Sequence, residues 1–352
     1  MSLTIIQVAF PFAPVGPDAV GGAEQVLTRL DEALTRMGHR CITVACEGSR
    51  TAGELIATPL PAGTIDDDAR ARTQAAHRRG LDLALRRGAG LVHMHGIDFH
   101  ACLPPPGLPV LATLHLPPGW YPPGVLHPSR PRTWLNPVSA TQHAACPPSP
   151  AILPPVGNGV PLEDLATRVT RRGHALVLGR ICPEKNQHQA LEAGTRAGVP
   201  VLLGGQVFPY AEHEAYWRAE VAPRLAGGHR FLGPLSLPRK RRWLAAARCL
   251  VSASLAPETS SLVAMEALAC GTPVVAFPSG ALPEIVEDGV TGFLVRDVAE
   301  MAAAIREAPR LDPEACREAA RRRFSAERMV AHYLDLYRAL IARAAAGDAD
   351  AA

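Results

Sequence analysis

The stretch CLVSASLAPETSSLVAMEALACGTPVVAF, Cys249 to Phe277, reads as one unit of a repeating fold. CLVSAS is a short apolar run of strand type, LAPETSS a polar loop, LVAMEALA a helical segment, Gly271 its carboxyl cap and PVVAF the next strand. Strand, helix and strand in that order make a parallel crossover, because two strands of the same direction need a long connection between them. The helical segment is apolar on every side except at Glu266, and a lone carboxylate there requires a partner. A second carboxylate, Glu258, stands in the loop ahead of it. From spacing alone two readings fit Glu266: its oxygens accept the paired hydroxyls of a sugar or ribose, or it pairs with an Arg of another element.

The same alternation runs outward in both directions. HALVLGR, VPVLLGG, HRFLG and GFLV are further strand candidates in the second half, with helical segments between them. In the first half, strand LTIIQVA leads to helix AEQVLTRLDEALTRM, which Gly38 closes, and then to strands CITVAC, LVHMH and PVLATLHL, each short enough to be buried on both faces. At 352 residues the chain exceeds what one core fills. Two α/β domains are therefore expected, 1–165 and 166–325, joined through the Pro- and Gly-dense PPSPAILPPVGNGVPLEDL. A long helix at about 326–345 is expected to cross back onto the first domain, and GDADAA reads as a frayed end.

Composition removes several function classes. A formal charge of +3 with 47% hydrophobic residues is too balanced for a nucleic-acid binder. The eight scattered cysteines include no CxxC pair and read as reduced thiols of a cytoplasmic protein. MSLTIIQVAF lacks a basic n-region and a cleavage site, and no run of about 18 apolar residues occurs, so neither export nor a transmembrane span is expected.

In open parallel sheets, ligands bind beyond the carboxyl ends of the strands. Gly21, Gly22, His95, His115, Arg180 and Glu258 all fall at such ends. In GRICPEKN, Arg180 and Lys185 put two cations near a helix start, an arrangement suited to a diphosphate; the plainer reading is two solvated charges. Ser260 or Ser261 is expected to cap the helix that carries Glu266, with first-turn amides from Leu262 onward turned towards an anion.

Other motifs have ordinary readings. DDD at Asp66–Asp68 precedes a helical segment and suits its amino terminus better than a metal-binding Asp-x-Asp. No G-x-G-x-x-G follows a strand, which removes a nicotinamide dehydrogenase. His93 and His95 share a strand face but lack a third ligand with metal spacing, so no metal is expected. RKRR, Arg239–Arg242, reads as a solvated helix face, with peripheral membrane contact as the lesser reading. Trp120, Tyr121 and Trp134 in the Pro-rich segment after His115 are candidates to stack on an acceptor ring or to pack in the core.

The combination GGAEQVLTRLDEALTRMGH, HMHG, ATLH, PVSATQ, NGV, GRICPEKN, PETSSLVAMEALACGTPVVA and LPEIVEDGVTGFLV resembles the retaining glycosyltransferases of family four, in order and over nearly the whole chain. The resemblance implies the GT-B architecture, two facing Rossmann-like domains with a carboxyl-terminal helix returning to the first. It implies a nucleotide-diphosphate sugar as co-substrate, UDP-linked, with no cofactor and no metal, and a small-molecule or glycan acceptor. Arg180 and Lys185 would hold the diphosphate, Glu266 the ribose hydroxyls, and Glu258 the donor sugar, with Thr259, Ser260, Ser261 and Leu262 completing the donor turn. Gly21 and Gly22 would allow close approach of the first-domain loop, His115 would lie near the sugar at the domain cleft, and His95, Trp120 and Tyr121 would face the acceptor. The implied chemistry is front-face transfer, with cations and amides stabilising the leaving phosphate. A non-catalytic sugar-nucleotide sensor of the same fold is the alternative. The chain departs from the family pattern at Thr259–Ser261, where Gly-Phe-Gly is common, at Ala281, where a second glycine is frequent, and at Asn186, where glycine is common.

Overall fold

A computed structural model of the protein describes residues 2–61, 63, 65–167 and 169–349. The chain divides into two compact units, Met1–Asn158 with Glu327–Ala352, and Gly159–Ala326.

The first unit contains β1 (Thr4–Val8), α1 (Gly22–Arg36), β2 (Arg40–Cys46), β3 (Glu54–Thr58), α2 (Asp67–Leu85), β4 (Leu91–Met94), β5 (Val110–Leu114), β6 (Thr133–Pro137) and α3 (Ala140–Ala144). Its strands form one parallel sheet in the order β3-β2-β1-β4-β5-β6. The second unit contains α4 (Leu162–Leu165), β7 (Ala175–Leu178), α5 (Gln187–Ala197), β8 (Val201–Gly204), α6 (Ala211–Tyr216), β9 (Arg230–Gly233), α7 (Leu237–Ala246), β10 (Cys249–Ser252), α8 (Leu262–Ala269), β11 (Val274–Ala276), α9 (Leu282–Ile285), β12 (Gly292–Leu294), α10 (Val298–Glu307) and α11 (Pro313–Arg323). Its sheet is also parallel, ordered β12-β11-β10-β7-β8-β9. Counted from the first strand of each unit, both sheets run 3-2-1-4-5-6, the doubly wound order, and the order reverses between β1 and β4 and between β7 and β10.

Two strands, β3 and β6, escape the reading by apolar runs. Both are edge strands, ELIAT and TWLNP, which need no continuous apolar run and tolerate a proline. Asp66 caps α2, its carboxylate accepting from the Ala69 amide at 2.7 Å, as the DDD motif suggests. The final helix, α12 (Ala326–Ala349), belongs with the first unit from Glu327 onward. It continues through Gly347–Ala349 rather than fraying at Gly347, and the rest of GDADAA lies outside the described residues.

A buried polar network anchors α12 to the first sheet. Thr113 donates its one hydroxyl proton to Asn136 Oδ1 (2.8 Å), so His93 Nε2 must donate to Thr113 Oγ1 (2.7 Å), and His93 Nδ1 accepts from the Tyr337 hydroxyl (2.7 Å). Asn136 donates to the Tyr333 hydroxyl at 3.2 Å, which in turn lies 3.1 Å from Thr113. His93, Tyr333 and Tyr337 are fully buried, and the network satisfies the polar groups that bring them inside.

Buried neutral histidines make this fold acid-sensitive. Burial lowers His77 to about 4, against the opposing bond to the Ala9 carbonyl, and holds His93 and His95 well below the ordinary histidine range. The unfolded chain takes up these protons as pH falls through about 6.5, whereas the folded chain refuses them. Stability is therefore fully present above that pH and declines below it, by about 1.4 kcal/mol per pH unit for each histidine. Urea midpoints measured between pH 7.5 and 5 are expected to fall steadily, and a flat profile contradicts the buried neutral assignment.

Candidate functional site

The chemistry-bearing side chains of the second unit gather at its switch point, beyond the carboxyl ends of β7 and β10. After β7 the chain passes Gly179, where it is crowded by Gly205: a Cβ on Gly205 would stand 1.8 Å from the Gly179 carbonyl oxygen. Arg180 follows, then a single 3₁₀ turn over Pro183–Lys185, and then Asn186 in the left-handed region at φ 55. Asn tolerates that conformation, and its Nδ2 donates to the Ala253 carbonyl at 3.0 Å, so a residue standing where glycine is common ties this loop to the end of β10. The Gln187 amide donates to the Arg180 carbonyl at 2.7 Å, and the Leu255 amide donates to the Glu184 carbonyl at 2.9 Å. The loop is thus fixed by its own backbone, and its cations project from a braced turn.

Neither cation stands alone. Lys185 Nζ lies 2.5 Å from Glu258 Oε1, and Arg180 lies 3.5 Å from Glu184 Oε1. Burial raises the Glu184 carboxyl, but its backbone amide, the Cys182 thiol, Arg180 and His213 together hold it below the usual carboxylate range. The Glu258 loop is supported from beneath. Its carbonyl accepts from the Ala281 amide at 2.7 Å, and Gly280, at φ 59, packs so closely that a Cβ would fall 2.2 Å from the Glu258 carbonyl oxygen. Ala281, where the family often has a second glycine, is itself buried in this support.

Glu266 lies in α8, where only Val263 is not buried. Its Oε1 pairs with Lys240 Nζ of α7, and its Oε2 is buried with no hydrogen-bond partner. The partner from another element is thus a lysine rather than an arginine, and it satisfies only one oxygen. This corrects the reading of RKRR as a wholly solvated face, since the Lys240 side chain is 14% exposed. Lys240 is the site residue that sequence reasoning missed. Its signal is the cation-rich helix immediately before β10, the nearest source of charge for a carboxylate in an apolar helix.

The cap of α8 also differs from expectation. Ser261 occupies the cap position but is left-handed at φ 34 and makes no side-chain cap, and Ser260 Oγ is buried with no partner. The amide row of the first turn therefore opens without a serine hydroxyl across it. Thr259 and Leu262 flank this turn, Leu262 buried and Thr259 half-buried.

In the first unit, Gly21 caps α1 in extended conformation, and Gly22 begins the helix. The space that a Gly21 side chain would fill is taken by the buried Glu24, whose Oε2 stands 1.9 Å from that Cβ position. His95 follows β4 and His115 follows β5; His95 Nδ1 lies 3.1 Å from His115 Nε2, so one ring must donate and the other accept. Burial lowers His115 to about 3, which leaves it neutral at physiological pH. His95 Nε2 is buried with no partner. Of the aromatic candidates only Trp120 is exposed, at 42%. Tyr121 packs into the core against Phe99, its hydroxyl held by the backbone of Leu116 and His115, and Trp134 is buried in β6 beneath Arg343. Neither presents a ring face for stacking, a correction to both assignments.

Two doubly wound units with cations and carboxylates at a switch point define the class of GT-B transferases, and the comparisons agree. Residues 20–148 match the family described as Glycosyltransferase Family 4, and residues 172–309 match Glycosyl transferases group 1. The chain belongs to this family and is a glycosyltransferase. It is similar to D-inositol 3-phosphate glycosyltransferases: 37% identical over 189 residues to that of Kribbella flavida, covering 46% of this chain and 44% of that one. The enzyme of that name from a Nocardioides species is 37% identical over 163 residues, covering 43% and 35%. The chain thus aligns with less than half the length of these relatives. In fold it resembles sucrose-phosphate synthase from Thermosynechococcus elongatus (TM-score 0.78, 20% identity, 97% and 100% covered). It also resembles AviGT4 of avilamycin A biosynthesis (0.73, 21%, 97% and 98%) and Anabaena HepE solved with UDP-glucose (0.70, 18%, 95% and 99%). Among the described residues no helix is long and apolar enough to cross a membrane.

Proposed function

We propose that this glycosyltransferase moves a sugar from a UDP-linked donor to a hydroxylated acceptor with retention of configuration and without a metal at the reacting phosphate. The observation that carries the reading is the convergence of Arg180, Lys185 and Glu258 at one switch point, together with the spare buried oxygen of Glu266. Two solved neighbours, Anabaena HepE and the TarM glycosyltransferase of S. aureus, were crystallised with UDP or a UDP-sugar, which favours that nucleotide.

In this reading Arg180 forks onto the diphosphate and Lys185 adds a point charge. A diphosphate at Lys185 competes with Glu258 for the ammonium and leaves the carboxylate oxygen to a donor-sugar hydroxyl. Glu266 Oε2 accepts from the ribose, while Lys240 keeps the other oxygen occupied and the group charged. As the bond from the anomeric carbon to phosphate breaks, negative charge grows on the diphosphate, and the two cations with the uncapped amides of α8 stabilise it. His115 and the Gly21–Gly22 turn are assigned to the sugar, and His95 and Trp120 to the acceptor. Neither glutamate acts as a nucleophile. The protein is read as cytoplasmic.

A panel of UDP- and GDP-linked sugars, followed by thermal unfolding, tests this directly, because a ligand of the folded state at 100-fold its Kd adds about 2.7 kcal/mol. UDP-sugars are expected to raise the midpoint by several degrees, with turnover equal in the presence and absence of added magnesium or manganese. A rise with GDP-sugars alone, or turnover only with an added divalent ion, contradicts the proposal.

A further inference from the structure

Behind the cation loop lies a group of side chains that the transfer chemistry does not use. Cys182, Glu184 and His213 each bring a ligand atom within 4.8 Å of the other two. Cys182 is fully buried, His213 is 7% exposed, and His213 Nδ1 is buried with no hydrogen-bond partner. These are three different ligand types on two elements. Cys182 and Glu184 flank the proline of the 3₁₀ turn after β7, and His213 sits in α6. Both elements are held in place independently. The Tyr216 hydroxyl at the end of α6 lies 3.2 Å from the His188 amide and 3.1 Å from its Nδ1, and Asn186 ties the turn to β10.

We propose that Cys182, Glu184 and His213 form a binding site for one zinc-class divalent ion. A thiolate, an imidazole and a carboxylate suit zinc or cobalt rather than magnesium or calcium, which prefer oxygen ligands alone. Ligand atoms around a tetrahedral zinc stand roughly 3.5 Å apart, given bonds of about 2.0 to 2.3 Å. Side-chain torsions alone can close the present spacing. The imidazole is neutral, since burial lowers His213, with Glu184 opposing that shift and Arg180 adding to it. Two features oppose the ion. Burial first, then the charge of Glu184, pushes the Cys182 thiol up to about 12, so the ion must displace a proton, which coordination of a thiol does. Arg180 also faces the group, but its approach to Glu184 is a long 3.5 Å contact to one oxygen, weaker than a carboxylate–metal bond. Three protein ligands leave the fourth position to water. An ion here would pin the turn bearing Arg180 and Lys185 to α6, two elements that now meet without a covalent or metal link.

Cobalt(II) titrated into the full chain under reducing conditions tests the site with no nucleotide sugar present, so the result is independent of the transfer reaction. One equivalent is expected to give a thiolate-to-cobalt charge-transfer band with tetrahedral d–d bands, reversed by zinc. Cys182→Ser and His213→Gln are each expected to lose the charge-transfer band or weaken binding at least tenfold. Cys146→Ser, which alters the one cysteine that is not buried, is expected to retain both. If Cys182→Ser fails to fold by circular dichroism, His213→Gln decides the matter. No charge-transfer band at one equivalent, or a band of unchanged strength in His213→Gln, overturns the proposal.

Discussion

Lys185→Ala is expected to lower kcat/KM for the donor by roughly 10²- to 10³-fold, the usual loss when one charge-stabilising group is removed from the reacting phosphate. The substitution strips the point charge from the diphosphate and leaves Glu258, whose side chain is 11% exposed, without the ammonium that now lies 2.5 Å away. A partly buried carboxylate next to two phosphates repels them, so the loss exceeds that of a solvated cation. Double substitution with Glu258→Gln separates the two effects: removing the stranded charge should recover part of the affinity for UDP but not the rate. Initial rates and UDP titrations of the four forms measure this. A kcat/KM within threefold of the parent would return Lys185 to the solvated reading.

Glu266→Gln is expected to weaken UDP binding by about 10- to 100-fold while the chain still folds. Gln keeps the shape but accepts more weakly, and it leaves Lys240 without its anion. Breaking a buried pair from one side costs about 3 to 5 kcal/mol, but the Lys240 side chain remains 14% exposed and can turn its ammonium to water, so a smaller cost is expected here. Lys240→Met gives the complementary result: Glu266 stays in place without a fixed partner, and UDP affinity falls while the first unit's acid sensitivity is untouched. Were Glu266 purely structural, Glu266→Gln would lower the unfolding midpoint and leave UDP affinity intact. Chemical denaturation and calorimetry on one preparation distinguish the two.

Most of the parallel architecture was legible because buried strands of an α/β sheet are apolar on both faces, and CLVSAS, PVVAF and CITVAC say so without reference to anything else. β3 and β6 were not, because an edge strand need not be apolar throughout. At the site, the loops that carry Arg180, Lys185 and Glu258 were placed by one rule, that ligands lie beyond strand carboxyl ends, and the chain topology puts these three at a switch point. What spacing does not encode is which charge meets which. Lys185 was assigned to phosphate alone, yet it also holds Glu258; Lys240 looked like one charge among four, yet its rotation on α7 turns it to Glu266. Ser261 has the right identity for a helix cap but the wrong backbone, a left-handed φ that carries its hydroxyl away from the amides it would satisfy. Tyr121 and Trp134 look like stacking residues in a Pro-rich segment, and only their burial shows them to be packing.

The central claim is that one nucleotide diphosphate binds in the second unit through Arg180, Lys185 and Glu266. Calorimetric titration of UDP into the full chain tests it most directly, with Lys185→Ala and Glu266→Gln titrated alongside. The predicted result is one UDP per chain, with affinity at least tenfold weaker in each variant and both variants folded. Absence of binding to the parent chain, or equal affinity in all three folded proteins, would contradict it.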